Sequence, residues 1–211
     1  MKILMINGSP KISGSASGLL LDALRKRIGD GHRCVVGSAM SQYKQYVLDS
    51  AYRAGAIVFV FPLYVDGIPS LLLRMLEAVQ HDIATAAPGA VVYVVVNNGF
   101  YEGRQNAIAL EMMRSFCRVA GLTWGQGLGI GGSGMTGHGP EGKEPAKSVC
   151  HALDALAARI VKGETAADCF LGPHYPRFFY RLGGGMAMRS QARKYGVKGR
   201  ALRAKPGMDT L

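Results

Sequence analysis

Residues 56–69 read Ala56-Ile57-Val58-Phe59-Val60-Phe61-Pro62-Leu63-Tyr64-Val65-Asp66-Gly67-Ile68-Pro69. The first six are an unbroken apolar run rich in Val, Ile and Phe, closed by a proline. A run of this length and composition predicts a strand buried on both faces. The period then changes. Ile68, Leu71, Leu72, Met75, Leu76 and Val79 fall at helical spacing, and Pro69 sits in the first turn, where its missing N–H removes no hydrogen bond. A doubly buried strand that passes through a short loop into an amphipathic helix is the repeating half of a parallel sheet.

The same alternation extends in both directions. Val91–Val96 and Ile3–Ile6 are further buried strands, and a weaker one surrounds Cys34 to Val36. A fifth lies near Thr123 to Ile130, where Gly125, Gly127 and Gly129 dilute the pattern. Helical periodicity fills the gaps. It covers Leu19 to Ile28, Tyr43 to Ala54, the set Ala109, Met113, Phe116, Cys117 and Ala120, and the set Val149, Leu153, Leu156 and Ile160. Strand and helix thus alternate five times, too few for a closed eight-stranded barrel. The expected architecture is α/β: a doubly wound, five-stranded parallel sheet in three layers, covering 1–165, with a basic extension over 166–211.

In such a sheet ligands gather outside the carboxyl ends of the strands. Three loops there have unusual composition. The first, Asn7 to Gly18, carries hydroxyls at Ser9, Ser13, Ser15 and Ser17 between glycines and leads into a helix start. Free N–H groups at a helix N-terminus beside neutral donors make a phosphate cradle, although the same residues also describe a Ser/Gly turn with a helix cap. The loop has neither the Walker spacing nor G-x-G-x-x-G. The second, Pro62, Leu63, Tyr64, Val65, Asp66 and Gly67, is apolar and aromatic, suited to one wall of a flat pocket or to a plain turn. Asp66-Gly67 can place a peptide in an unusual backbone state, because glycine accepts a positive φ. The third, Asn97 to Gly103, sets the amides of Asn97 and Asn98 and the backbone of Gly99 beside Phe100 and Tyr101, which can stack on a planar ring or tuck beneath the loop.

From Met1 to about Ala120 the chain resembles the NADPH-dependent FMN reductase family of flavodoxin-like fold. The first loop is similar to that family's GSPR-x-x-G-N-T pattern, and the second to its P-L-Y-W-G-S-M-P stretch. The resemblance implies bound FMN, with NADPH or NADH as co-substrate. Ser9, Lys11 and Ser15 stand where the family has its phosphate-binding Ser, Arg and Asn. Leu63, Tyr64, Asp66 and Gly67 match its ring-contacting loop. Three positions depart from the pattern: Ala16 replaces Thr, leaving Ser17 as the nearby hydroxyl, Val65 replaces an aromatic, and Asp66 replaces a frequent Gly. The resemblance further implies an oxidoreductase that passes a hydride from nicotinamide to flavin and electrons to a quinone-like or other small acceptor. The flavin carries that chemistry, so no catalytic side chain is expected. A flavodoxin-type electron carrier and a binding protein with a degenerate flavin site are the alternatives. The family also implies a homo-oligomer.

Composition narrows the class further. With 48% hydrophobic residues, the 211-residue chain can fill a core without disulfides or metals. Cys34, Cys117, Cys150 and Cys169 form no CxxC pair, and the five histidines show no metal-ligand spacing, so free thiols and no metal site are expected. The apolar run at Ile3 is too short for a secretion signal, which leads to the expectation of a cytoplasmic protein. The net charge of +11 is uneven. Up to Phe170 there are 16 basic and 13 acidic residues, whereas Leu171 to Met208 holds nine Lys/Arg and no Asp/Glu. Phe178, Phe179, Tyr180 and Leu182 lie within that cationic stretch, which suits a docked arm, self-association, capture of the phosphates of NADPH, or contact with an anionic membrane surface or, least, nucleic acid. No recognised nucleic-acid motif accompanies the charge. Gly127, Gly129 and Gly132 formally complete G-x-G-x-x-G, but they sit inside and after a late strand, so a rim or lid is expected there rather than a dinucleotide fingerprint.

Overall fold

The computed structural model describes residues 1–40, 44–133, 146–173, 176–197 and 201–203. These divide into two compact units, Met1–Pro173 and His174–Leu211. The first is a parallel sheet of six strands: β1 (Lys2–Asn7), β2 (Arg33–Ser38), β3 (Ala56–Pro62), β4 (Val91–Asn97), β5 (Thr123–Ile130) and β6 (Cys169–Leu171). Their spatial order is β2-β1-β3-β4-β5-β6, so the order reverses between β1 and β3. The expected five strands are therefore corrected to six. The sixth has only three residues, and its Cys-Phe-Leu is too short to carry a period.

The helices are α1 (Ala16–Ile28), α2 (Lys44–Ala51), α3 (Ser70–Val79), α4 (Ile83–Ala86), α5 (Ala107–Ala120) and α6 (Ala146–Lys162). Alternation along each strand sends side chains to two cores. Ile57, Phe59 and Phe61 of β3 join α2, α3, α4 and α5 on one face. Ala56, Val58 and Val60 join α1 and α6 on the other. The central strands are thus apolar throughout because both faces are covered. Tyr93 of β4 is fully buried, and its hydroxyl donates to the carbonyls of Arg159 and Glu164 at the end of α6. Burial, with the Glu164 carboxylate, pushes that phenol up to about 12.

The glycines of β5 meet steric demands. The ladder with β4 slips by one residue after Val92, which leaves Gly125 as the extra residue of a bulge. A Cβ on Gly125 would lie 2.6 Å from the Tyr93 ring. One on Gly129 would lie 2.7 Å from the Phe170 ring. These glycines let β4, β5 and β6 approach closely, so β5 is a full strand where its composition alone suggests a weak one. Gly134, Gly137 and Gly139, where a lid is expected, lie outside the described residues.

Asp168, just before β6, fastens this edge. Its Oδ1 accepts from Trp124 Nε1 at 3.0 Å and from the Gly127 N–H at 2.9 Å. Its Oδ2 accepts from Arg114 Nη2 at 2.7 Å, and that guanidinium lies 4.7 Å over the Trp124 ring. One carboxylate thereby joins β5, β6 and α5.

Candidate functional site

The three loops emerge together at the carboxyl edge, on either side of the β1/β3 reversal. Gly8 begins the first. Its N–H donates to the Val60 carbonyl at 2.8 Å, which draws the loop against β3. A Cβ there would come within 2.7 Å of Leu72 Cδ2 and 2.8 Å of Phe61 Cβ, so only glycine permits this approach.

The Ser9 N–H donates to Asn7 Oδ1, and Ser9 Oγ accepts from the Lys11 N–H at 3.2 Å. Ser15 is the N-cap of α1, its Oγ accepting from the Gly18 N–H at 3.0 Å. Both serines are buried, each uses its oxygen as acceptor, and neither hydroxyl proton has an acceptor among the described residues. Ala16 and Ser17 open the helix, so their N–H groups have no intrahelical acceptor. Lys11 spans the mouth, with Nζ donating to the Gly14 carbonyl at 3.0 Å. These donors gather at a helix N-terminus. That donor set fits a phosphomonoester and not a cation.

Ser17 lies deeper. Its Oγ donates to Asn97 Oδ1 at 2.7 Å with both side chains buried, and Asn97 Nδ2 reaches Ser133 Oγ at 3.4 Å. These residues brace the first loop to the end of β4. The third loop is woven onto β5 and β6. Asn98 Oδ1 accepts from the Phe100 N–H at 2.9 Å, the Asn98 N–H donates to the Ile130 carbonyl, and the Ser133 N–H donates to the Asn98 carbonyl. Buried Asn106 donates to the carbonyls of Gly103 and Ile130, while its own Oδ1 has no partner among the described residues. Gly99 and Phe100 are exposed at the tip, and Tyr101 is half-buried. The amides of Asn98 and Asn106 thus shape this loop. Asn98 stands beside the expected Asn97 in sequence, whereas Asn106 carries no signal there.

The second loop differs from expectation in one respect. The Tyr64 N–H donates to the Gly67 carbonyl at 3.1 Å and the Gly67 N–H to the Tyr64 carbonyl at 3.0 Å, closing a two-residue turn. The left-handed residues are Val65 at φ 48° and Asp66 at φ 56°, not Gly67. The unusual backbone expected at Asp66-Gly67 is thus present at Asp66 and extends back to Val65, while the glycine itself does not supply it. Both central positions of this turn type need φ > 0, and Gly67 sits after them. A β-branched residue in the left-handed region is a true outlier, costing on the order of 1–3 kcal/mol. Val65 is fully exposed, so no burial of its side chain offsets the strain. Val65→Asn is expected to raise thermal stability by about 1 kcal/mol, or about 2–4 °C in Tm. A melt in which the variant is no more stable than the parent would remove strain from this turn. Pro62 closes β3, and the Leu63 N–H donates to the Asn97 carbonyl at 2.8 Å, tying the second loop to the third.

Beside the turn, α3 and α5 enclose an apolar hollow of about 500 Å³, lined by Ile68, Leu73, Met112, Phe116 and Val119. Among the described residues, no group of three or more His, Cys, Asp or Glu side chains is placed to hold a metal ion.

No family model matches the chain, and neither does any curated protein. Solved structures do. An NADH:FMN oxidoreductase in its apo form superposes with a TM-score of 0.62 at 12% identity, over 78% of this chain and 90% of the other. An NAD(P)H:quinone oxidoreductase from Methanothermobacter marburgensis gives 0.57 at 15%, over 76% and 96%. A flavodoxin from Streptococcus pneumoniae TIGR4 gives 0.54 at 12%, over 77% and 99%. At these identities the likeness establishes the fold alone, which is flavodoxin-like.

Proposed function

We propose that this chain holds FMN between the three loops and acts as an NAD(P)H-dependent oxidoreductase that serves a small acceptor of the quinone class. The carrying observation is the convergence, at the β1/β3 reversal, of a phosphate-type cradle with a turn held in a strained conformation. The solved structures similar to this fold include an NADH:FMN oxidoreductase and an NAD(P)H:quinone oxidoreductase, which supports the reading.

Ser9, Lys11, Ser15 and the first-turn N–H groups of α1 would hold the phosphate. The Tyr64–Gly67 turn and the loop from Asn97 through Gly99 to Tyr101 would flank the ring, with Pro62 and Leu63 at its base. When bound, FMN supplies hydride acceptance and electron delivery. The chain's part is to position: Ser17, Asn97 and Ser133 hold the loops at a fixed separation, and the turn presents its backbone without further ordering.

The test is the visible spectrum of the purified protein before and after FMN is added and the excess removed. Flavin bands that NADPH or NADH bleaches without oxygen support site and activity together. Bands that persist point to a flavodoxin-type carrier. A protein that cannot be reconstituted carries a degenerate site.

Self-association belongs to the same reading. The hollow on α3 and α5 exposes Leu73, Ile108 and Val119 and continues to the turn, since Met112 Sδ lies 3.5 Å from where a Gly67 Cβ would be. A second copy seated there would border the ring loop. Leu73→Glu is expected to leave monomer where the parent sediments as a dimer, and identical masses would dismiss the hollow as the interface.

A further inference from the structure

The second unit contains α7 (Arg177–Lys194), an 18-residue helix in which no residue is buried. Three consecutive glycines, Gly183–Gly185, fall at its centre, and each disfavours helix relative to alanine. Such a helix gains little from its own backbone and depends on a surface to lie against.

Its side chains describe that surface. Phe178, Leu182 and Met186 follow one another at i, i+4 and i+8, and Arg189 and Arg193 continue the same stripe. Phe178 is 68% exposed, Met186 62%, and Phe179 packs edge-on against Phe178 at 5.7 Å between centroids. The stripe is therefore apolar over its first half and cationic over its second. No acidic residue lies anywhere from Leu171 to Met208. No helix among the described residues is long and apolar enough to cross a membrane.

We infer that α7 is a docking element for an anionic lipid surface, entering it obliquely, with Phe178, Phe179, Leu182 and Met186 of its first half among the acyl chains and Arg189, Arg193 and Lys194 of its second half among the phosphates. Charge complementarity selects this occupant. A lipid interface accepts apolar depth and mobile cations side by side. A nucleic acid would use the phenylalanines for stacking but has no use for Leu182 and Met186. An acidic protein would require fixed carboxylate partners for cations that point to several sides of the helix.

The experiment is co-sedimentation of the full chain with vesicles of phosphatidylcholine alone and with vesicles that also contain phosphatidylglycerol, about a third of the lipid, to set a negative surface potential. Binding is expected only to the anionic vesicles, and it should fall steeply with salt. Replacing Arg189, Arg193 and Lys194 by Gln should weaken partitioning on the order of a hundredfold. Replacing Phe178, Leu182 and Met186 by Ser, at constant charge, should weaken it roughly tenfold or more. Melting curves of both variants show whether the sheet domain remains folded. Equal binding to both vesicle types, no binding to either, or a serine variant that binds as tightly as the parent would each overturn the inference. So would tight binding to a single-stranded oligonucleotide that anionic vesicles do not displace.

Discussion

Replacing Asp168 by Ala is expected to lower the melting temperature by about 6–16 °C. The carboxylate is mostly buried, at 16% side-chain exposure, and it receives three donors from two elements, β5 and α5. Removing it leaves the indole N–H of Trp124 and the N–H of Gly127 without acceptors in a partly buried setting. It also leaves Arg114 with Glu111, at 3.4 Å on an exposed face, as its one ion-pair partner among the described residues. Hydrogen bonds to charged groups contribute about 1.5–3 kcal/mol each and do not add fully, so a loss of about 3–4 kcal/mol is expected. For a protein of this size that is a fall of about 6–16 °C. Asp168→Asn keeps the shape and one acceptor and should lose roughly half as much. A thermal melt decides it: an alanine variant within about 2 °C of the parent would mean that the carboxylate is incidental.

The second large effect concerns the cradle. Ser9→Ala with Lys11→Ala should weaken FMN on the order of a hundredfold, while riboflavin, which lacks the phosphate, should change by roughly threefold or less. Ser9 lies at the base of the loop with its hydroxyl proton unassigned, and Lys11 holds the one side-chain cation of that loop, parked on the Gly14 carbonyl. Both would act on the phosphate alone, since the ring loops are built from other residues. Fluorescence titration with each flavin separates the contributions. Equal losses for the two would rule out phosphate recognition by these side chains, and unchanged affinity for both would move the flavin elsewhere.

Much of this arrangement is legible in the sequence, for particular reasons. The strand at Ala56 and the helix after Pro69 announce themselves because burial on both faces and burial on one face leave different periods. The hydroxyls of the first loop stand out because a helix start needs donors and caps of just these types. What stays hidden depends on contacts distant along the chain. The three residues of β6 are strand only because β5 lies beside them. Asp168 looks like any linker aspartate until Arg114 and Trp124 are brought to it. The strain at Val65 escapes a sequence reading because Gly67 is the residue that usually takes a left-handed conformation, whereas the pairing of Tyr64 with Gly67 moves that demand one and two places earlier. Asn106 is silent in the sequence because it gathers carbonyls from a turn and a strand end that lie far apart along the chain.

The lateness of Asp168 has a consequence for how the chain is made. Synthesis proceeds from the N-terminus, and domains form as their parts leave the ribosome. The first five strands and α5 are all complete before residue 168 exists, so Arg114, Trp124 and the Gly127 N–H emerge without the group that joins them. The bonds that fasten this edge can therefore form only after Asp168 has been made. Trp124 is the only tryptophan in the chain, and its indole takes up its native surroundings at that last step.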